Sequence, residues 1–538
     1  MAGTRGLAAS TQFRLARRLV QDLGPFFAAR VDAPGAEARL QSNFAARQKR
    51  FLQLIERAVY QRPESPYARL LHHVGLAAAD LRALVEREGL EGALAQLADG
   101  GVYLSLDEFK GRTTIKRGSL DVAVSARAFD NPLGAGHIPV QTGGSRSTGT
   151  RVYVDLSQYA NDADYEALFW AGAGMLGRPF ALWRPAPPFS AGLSICMRHT
   201  LIGQTPQRWF AQSIPGFGRS AWRHRLILEL TLAASRWHGR PLPRPQLTPT
   251  ASVANVAQWL ADTRRSGSAA VLNTPASGGV RVALSARDLG LDIAETMFVL
   301  GGEPLTEARH RLIAAAGCTA IAHYSMGEVG RLGIHCSEAS AADDVHLLQD
   351  KIALICRSRP MSDGSTVQAN HYTTLSSATA KLLINVESGD HTTVERRQCG
   401  CPFGRAGMET HLHTIRSYEK LTSEGMNFLG SDLLRLVDEL LPRRFGGAPT
   451  DYQFVEWEDE QGLPKVDLRI SDRVTLTDET EARDLVLTSL NGGRARGYAD
   501  RWREAGTLGV VRGEPMVTGS AKILALHSLR KRPERQTD

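Results

Sequence analysis

At 538 residues, with 43% hydrophobic and 22% charged side chains, the chain holds roughly two to four compact units, which excludes a peptide hormone, a lone binding module and wholesale disorder. The formal net charge of +8 is carried mostly by arginine; it suits phosphate-rich small molecules, and with no basic block longer than the tail Arg530 to Arg535, no nucleic-acid partner is expected. Six cysteines are too few and irregular for a disulfide framework, the Arg-rich opening matches the bias of the whole chain, and no apolar run reaches the roughly 18 residues of a membrane span, so a cytoplasmic protein without a membrane partner is expected.

From Ser10 to about Gly111 the pattern is helical. Phe51, Leu52, Leu54, Ile55, Ala58 and Val59 form one apolar stripe, Arg62-Pro63 breaks it, and a second helical run extends from Ala79 to Leu97. From Ile138 short β-rich runs, Gly/Ser loops and helices alternate. Thr296 to Leu300 reads as a strand, Gly301 to Pro304 as a turn, Leu305 to Ala316 as a helix stopped by Gly317, and Thr319 to Tyr324 as another strand. That βαβ unit predicts parallel strands flanked by helices.

After His413 the texture changes again. Ser431 or Asp432 can cap a helix with the stripe Leu433, Leu434, Val437, Leu440 and Leu441, ended by Pro442. Tyr452 to Trp457 and Val466 to Ile470 alternate around Gly462-Leu463-Pro464 and predict a hairpin. A helix near Glu479 to Leu490 and a loop-strand segment from Gly513 to Leu526 complete the chain. The expected fold is α/β: a large N-terminal domain, with a helical cap over 1–110 and a core of mixed and parallel sheets over 111–419, then a small α+β C-terminal domain over 420–538.

Two loops carry candidate chemistry. In QTGGSRSTGTR, Gln141 to Arg151, glycines allow backbone N–H groups close to a phosphate while Thr142, Ser145, Ser147 and Thr148 donate and Arg146 and Arg151 bring charge. No GK[ST] ending is present, so it is not a Walker loop. Gly301-Gly302-Glu303-Pro304-Leu305-Thr306 and Tyr324-Ser325-Met326-Gly327-Glu328 each follow a strand, and ligands of parallel sheets bind where strands end. There Glu328 could hold Mg²⁺ and Tyr324 could stack on a base.

In order, these segments resemble the adenylate-forming acyl-CoA ligases, specifically the phenylacetate-CoA ligase branch. The resemblance runs from Gln48 to Leu71 through TGGSRSTGTR, GGEPLT, YSMGEVG, Glu387-Ser388-Gly389-Asp390, Cys399 to Arg405 and Arg416 to Asn427 to Pro515 to Lys522. It implies ATP-dependent conversion of a carboxylic acid to an acyl-adenylate with loss of pyrophosphate, then displacement of AMP by a thiol such as CoA, with a C-terminal domain rotating between the steps. By resemblance Thr142, Gly143, Gly144, Ser145, Ser147, Thr148 and Gly149 cradle phosphates, and Gly302, Glu303 and Pro304 line the adenine site beside Tyr324 and Ser325. By the same resemblance Lys522, Glu328 and Arg416 are catalytic: Glu328 binds Mg²⁺, Arg416 stands just before the hinge and Lys522 bridges carboxylate and α-phosphate, while Asp390 holds the ribose and Glu419 is the hinge acid.

The chain departs from the family at Thr150 and Arg151, where a proline and lysine are usual, and at Tyr418 and Glu419, where an acid pair is usual. The acceptor is therefore open: transfer to an amine, another nitrogen nucleophile or a carrier-protein thiol is the nearest rival, and a non-catalytic nucleotide-binding scaffold the rival from another class. Some members of the branch look alike at Cys336, His346, Cys399 and Cys401, which implies a structural Cys₃His zinc site, with His335 and His411 as substitutes. The acid pocket is expected from Trp183 to Ile202, Asn273 to Gly278 and Gly301, suited to an aryl or hydrophobic acid. A homodimer is left open.

Overall fold

The computed structural model describes residues 17–134, 136–141, 151–189, 191–215, 222–361, 366–418, 430–458, 464–491 and 507–529. The phosphate-loop residues Thr142, Gly143, Gly144, Ser145, Ser147, Thr148 and Gly149, and the hinge residue Glu419, lie outside the described residues.

The βαβ unit forms the centre of the molecule. Strands Met297–Gly301 and Thr319–Met326 are parallel neighbours, with Thr319 beside Met297 and His323 beside Gly301. The helix between them, Glu307–Ala314, starts later than the sequence pattern suggests because the Thr306 side chain caps it, accepting from the Arg309 N–H. Parallel pairing continues outward through Val271–Thr274, Phe180–Trp183, Arg208–Ala211 and Pro245–Leu247. On the other side of Thr319–Met326 every pairing is antiparallel: Gly330–His335, Val345–Leu347, Thr410–Ser417, Val386–Arg396, Thr366–Thr374 and Ile352–Pro360 follow in that order. One twelve-stranded sheet therefore changes character at a single strand.

The stripe seen in the sequence explains how the helical opening packs. Phe51, Leu54, Ile55, Ala58 and Val59 are buried, and they share one core with Leu272 and Leu300 of the sheet and Val280 of the helix Ala276–Asp288. Ala78–Asp99 closes the same core through Leu81, Leu84, Leu94 and Leu97.

The C-terminal residues build a second apolar core of their own, around Leu433, Val437, Phe454, Leu468 and Val486. Tyr452–Glu458 and Pro464–Ile470 pair antiparallel, flanked in parallel by Leu526–Ser528 and Leu508–Arg512. One sequence expectation fails here: Pro442 does not end its helix. Gly430–Arg435 leads into a π-helical turn, Leu436–Leu440, and then Leu441–Phe445, which carries the proline in its first turn. Pro is tolerated there because that N–H needs no intrahelical partner. The helix stops at Gly446, whose φ of 78° suits glycine. Among the described residues no helix is long and apolar enough to cross a membrane.

Candidate active site

The carboxyl ends of Met297–Gly301 and Thr319–Met326 open onto a crevice at the point where parallel pairing gives way to antiparallel pairing. Gly302 turns the chain there with φ 86°, and a Cβ on it would stand 2.9 Å from Lys522 Cε and 3.2 Å from its Nζ. The lysine of the C-terminal unit thus reaches the strand ends over a residue with no side chain. A short turn aims it: Thr518 N–H donates to the Lys522 carbonyl, Lys522 N–H donates to Thr518 Oγ1, and Ala521 takes a φ of 64°. A non-glycine residue in that region stores strain, which is met most often at functional sites.

Glu303 secures the lysine from the other side. Its carboxylate accepts from Ser277 N–H at 2.6 Å, Ser277 Oγ at 2.9 Å and the N–H of Ile523, next to Lys522, at 2.9 Å. It edges the cavity as the resemblance implies, but its charge is spent on holding the Lys522 segment. Behind it, buried Arg309 pairs with Asp438 of the C-terminal unit, and Asp438 accepts from Thr306 Oγ1 at 2.6 Å.

Two cavities meet at Lys522. The first, about 160 Å³, is lined by Gly302, Glu303, Pro304, Tyr324, Ser325 and Asp390, so three separate stretches singled out in the sequence converge on it. Tyr324 donates its hydroxyl to Asp390 Oδ2 at 2.8 Å. Burial and that carboxylate hold the phenol well above its usual range, so it stays a neutral donor. The other Asp390 oxygen has the acceptor capacity that a diol requires. Arg416 does not line the cavity; its guanidinium donates to Asp343 Oδ2 at 2.7 Å, and Asp343, which does line it, also accepts from the N–H groups of Thr414 and Ile415.

The second cavity, about 190 Å³, receives Arg184, Phe189, Ser194, Arg198 and Asn273 from the stretches expected to shape an acid pocket. Trp183 is not part of it: its indole N–H donates to Thr248 O inside the core. Arg331 lines it too and donates to Glu166 at 2.5 Å. Arg331, His199 and Arg198 together hold Glu166 below the ordinary carboxylate range against the effect of burial, so it is ionised. Burial lowers Arg184 to about 9, opposed by Glu303 and reinforced by Arg331 and Arg198.

Glu328 follows these lining residues, yet its buried carboxylate pairs with Lys110 of the helical opening. Mg²⁺ binds through several oxygens. Glu328 offers one carboxylate already neutralised by an ammonium group, so the described residues meet that requirement only in part, and no step is assigned to the ion.

Apart from the crevice, Cys336, His346, Cys399 and Cys401 converge. Cys399 Sγ lies 3.8 Å from Cys336 Sγ, 3.5 Å from Cys401 Sγ and 3.4 Å from His346 Nε2, and Cys401 Sγ lies 2.9 Å from the same nitrogen. Tetrahedral zinc with its usual bond lengths sets sulfurs about 3.8 Å apart and sulfur and nitrogen about 3.6 Å apart. His346 Nδ1 contacts Met408 O at 2.8 Å, which leaves Nε2 facing the sulfurs. The separations from Cys399 lie near these values, while the 2.9 Å from Cys401 to His346 is shorter. The four ligand atoms that all lie within 4.8 Å of one another are those of Cys336, His346, Cys399 and His411; Cys401 and His335 are not among them.

Lys110, Arg184, Arg198, Arg331 and Asp343 escaped the sequence reading. Arg184 and Arg198 fall inside the stretch assigned to the pocket, so their charge was a usable signal; Lys110 and Asp343 arrive from turns and Arg331 from a strand, whose neighbours only the topology reveals.

No protein-family model matches the chain and no curated protein matches it in sequence. Solved structures do. The chain is similar to 2-hydroxyisobutyryl-CoA ligase in the postadenylation state with 2-HIB-AMP, at TM-score 0.54 and 15% identity over 90% of this chain and 89% of that one. It matches the same ligase with 2-HIB-AMP and CoA in the thioesterification state at 0.47, 16% identity, 90% and 89%. The anthranilate CoA ligase AuaEII with anthranoyl-AMP follows at 0.42, 14% identity, 76% and 68%. At such identities the first similarity speaks for the fold, which is that of an adenylate-forming ligase.

Proposed function

We propose that this chain is an ATP-dependent carboxylate ligase that forms an acyl-adenylate, releases pyrophosphate and passes the acyl group to a thiol such as CoA. The observation that carries the reading is the position of Lys522, delivered from the C-terminal unit to the junction of two cavities. One of these has the diol acceptor Asp390 at its edge and the other could hold a small acid.

In this reading adenosine occupies the first cavity, its ribose hydroxyls donating to the Asp390 carboxylate that Tyr324 orients. The acid enters the second. Its carboxylate oxygen bonds to the α-phosphorus while the bond from phosphorus to the pyrophosphate oxygen breaks. The Lys522 ammonium offsets the charge that builds between the two anions, a preorganised term that commonly supplies 10²–10³ in rate. The thiolate then attacks the acyl carbonyl carbon, and AMP leaves with the mixed-anhydride oxygen. For the second step the 420–538 unit turns about a hinge near Glu419 and withdraws the lysine. Mg²⁺ would shield the phosphates, and Cys336, His346, Cys399 and Cys401 would hold a structural zinc. The resemblance to the phenylacetate-CoA ligase branch belongs to this proposal.

Isotope exchange between pyrophosphate and ATP, driven by an acid panel, tests it. Lys522→Ala is expected to slow exchange by about 10²-fold or more, while supplied acyl-adenylate is still consumed with CoA. Undiminished exchange in that variant would overturn the role of Lys522.

A further inference from the structure

The second cavity is lined by Arg184, Arg198, Arg331 and Lys522 against a single acid among the described residues, Asp162. Helix Ala191–Leu201 presents Ala191, Ser194, Ile195 and Arg198 to it, residues at the spacing of one helical face. Arg198 is buried, and its Nε has no hydrogen-bond partner among the described residues. The nearest carboxylate, Glu166 Oε1 at 3.4 Å, is already engaged by Arg331 at 2.5 Å. Two guanidinium groups therefore share one carboxylate.

A third adds to the excess. Arg184 directs its nitrogens only at neutral oxygens: Asn273 Oδ1 at 2.8 Å, Thr274 O at 2.6 Å and Gly301 O at 3.1 Å. Among the described residues the one acid of the lining, Asp162, pairs with Lys351 at 2.6 Å. Around the same wall, the Tyr159 hydroxyl is buried without a partner among the described residues. Buried polar groups, and charges above all, are as a rule hydrogen-bonded. A hydrophobic acyl chain would meet neither this hydroxyl nor Arg198 Nε.

We infer that the acid activated here carries a second anionic group, which Arg198 and Arg331 bind. This rests on the ligase reading above and replaces the aryl or hydrophobic acid that the sequence suggested. With a volume of about 190 Å³, below the roughly 300 Å³ of pockets for drug-sized ligands, the acid is short. The shared chemistry is a compact dianion, and the second group is either a carboxylate or a phosphate. Sequence alone pointed elsewhere because aromatic and small residues dominate the stretch in composition, while their side chains largely turn into the core.

The test is pyrophosphate exchange with three arms: short dicarboxylates such as succinate and glutarate, short phosphorylated carboxylic acids, and monoacids including benzoate, phenylacetate and the monoamide succinamate. Exchange is expected with one of the first two arms, and which one identifies the second group. Arg198→Gln should lower kcat/KM for that dianion by roughly 10- to 100-fold, as for loss of a charged hydrogen bond, and narrow its advantage over succinamate. Arg198→Lys should recover part of the loss. Preference for benzoate or phenylacetate, unaltered in Arg198→Gln, would overturn the inference while leaving the ligase reading intact. Exchange with no acid, alongside a melting-temperature rise with the dianion that Arg198→Gln abolishes, would overturn the ligase reading and keep the dianion site. Neither exchange nor stabilisation overturns both.

Discussion

His199 sits between the rings of Trp170 and Phe180, with its Nδ1 against Ile195 O at 2.8 Å and its Nε2 3.6 Å from Glu166. Burial lowers it to about 4; Glu166 opposes that shift, and Arg198 and Arg331 add to it. The sign follows from linkage: between pH 6.5 and 4 the unfolded chain binds a proton that the folded one refuses, so acid favours unfolding. Ionised Glu166 acts in the same direction, since its folded-state value lies below the unfolded one and its stabilisation is lost as pH falls. Stability should therefore decline by about 3 kcal/mol across that window from His199 alone. Denaturant unfolding at stepped pH checks this; His199→Asn, which keeps a donor toward Ile195 O, should flatten the slope by about one proton, and an unchanged slope would assign the acid sensitivity elsewhere.

At the scale of elements, the segment from Cys399 to Met408 meets Cys336 and His346 through Cys399 and Cys401, with the Gly400 N–H on Glu338 Oε1 and the buried Phe403 and Met408 as further ties. A short helix, Pro402–Arg405, gives it little regular structure of its own. If zinc closes this site, elemental analysis of the purified protein finds about one ion per chain. Cys399→Ser should then lose the ion and lower the melting temperature by roughly 5 °C or more, because metal binding and local folding are one equilibrium. Metal-free protein that melts at the same temperature as the variant would show four residues packed together without an ion. These residues are 2–65 positions apart in groups that no periodicity links, and the CxC pair was the visible part of the cluster. The exit of the helix over Leu433 to Phe445 was misread for the opposite reason: the proline signal was strong, but its first-turn placement was not legible.

For the whole molecule, the decisive contact is between the two cores. Arg309 and Asp438 are both almost wholly buried, with side-chain exposures of 3% and 1%, and Thr306 adds a hydrogen bond to the same carboxylate. Without the full charge of Asp438, Arg309 would be left with Glu303 at 3.6 Å, and Glu303 already fixes Ile523 beside Lys522. Asp438→Asn should therefore loosen the arrangement that delivers the lysine. Because halving a buried pair costs several kcal/mol and 1.4 kcal/mol is tenfold in an equilibrium, acyl-adenylate formation is expected to fall at least about tenfold. Turnover of supplied adenylate should hold steady. Equal losses in both steps would mean that the pair serves folding rather than closure.

What the sequence by itself determined is local. The stripe from Phe51 to Val59, the strand–turn–helix–strand run from Met297 to Met326 and the hairpin strands Tyr452–Glu458 and Pro464–Ile470 follow from side-chain periodicity and turn residues, which act over a few positions. Motif order further marked Gly302, Glu303, Pro304, Tyr324, Ser325 and Asp390, which the fold gathers around one cavity. Only the tertiary structure decided what neutralises what. Glu328 faces Lys110 across 218 residues of chain, Arg416 faces Asp343, and Arg331 meets Glu166 while Arg198 stands 3.4 Å from the same oxygen. Charge acts through space on whichever partner topology brings near, and no spacing along the chain encodes that distance.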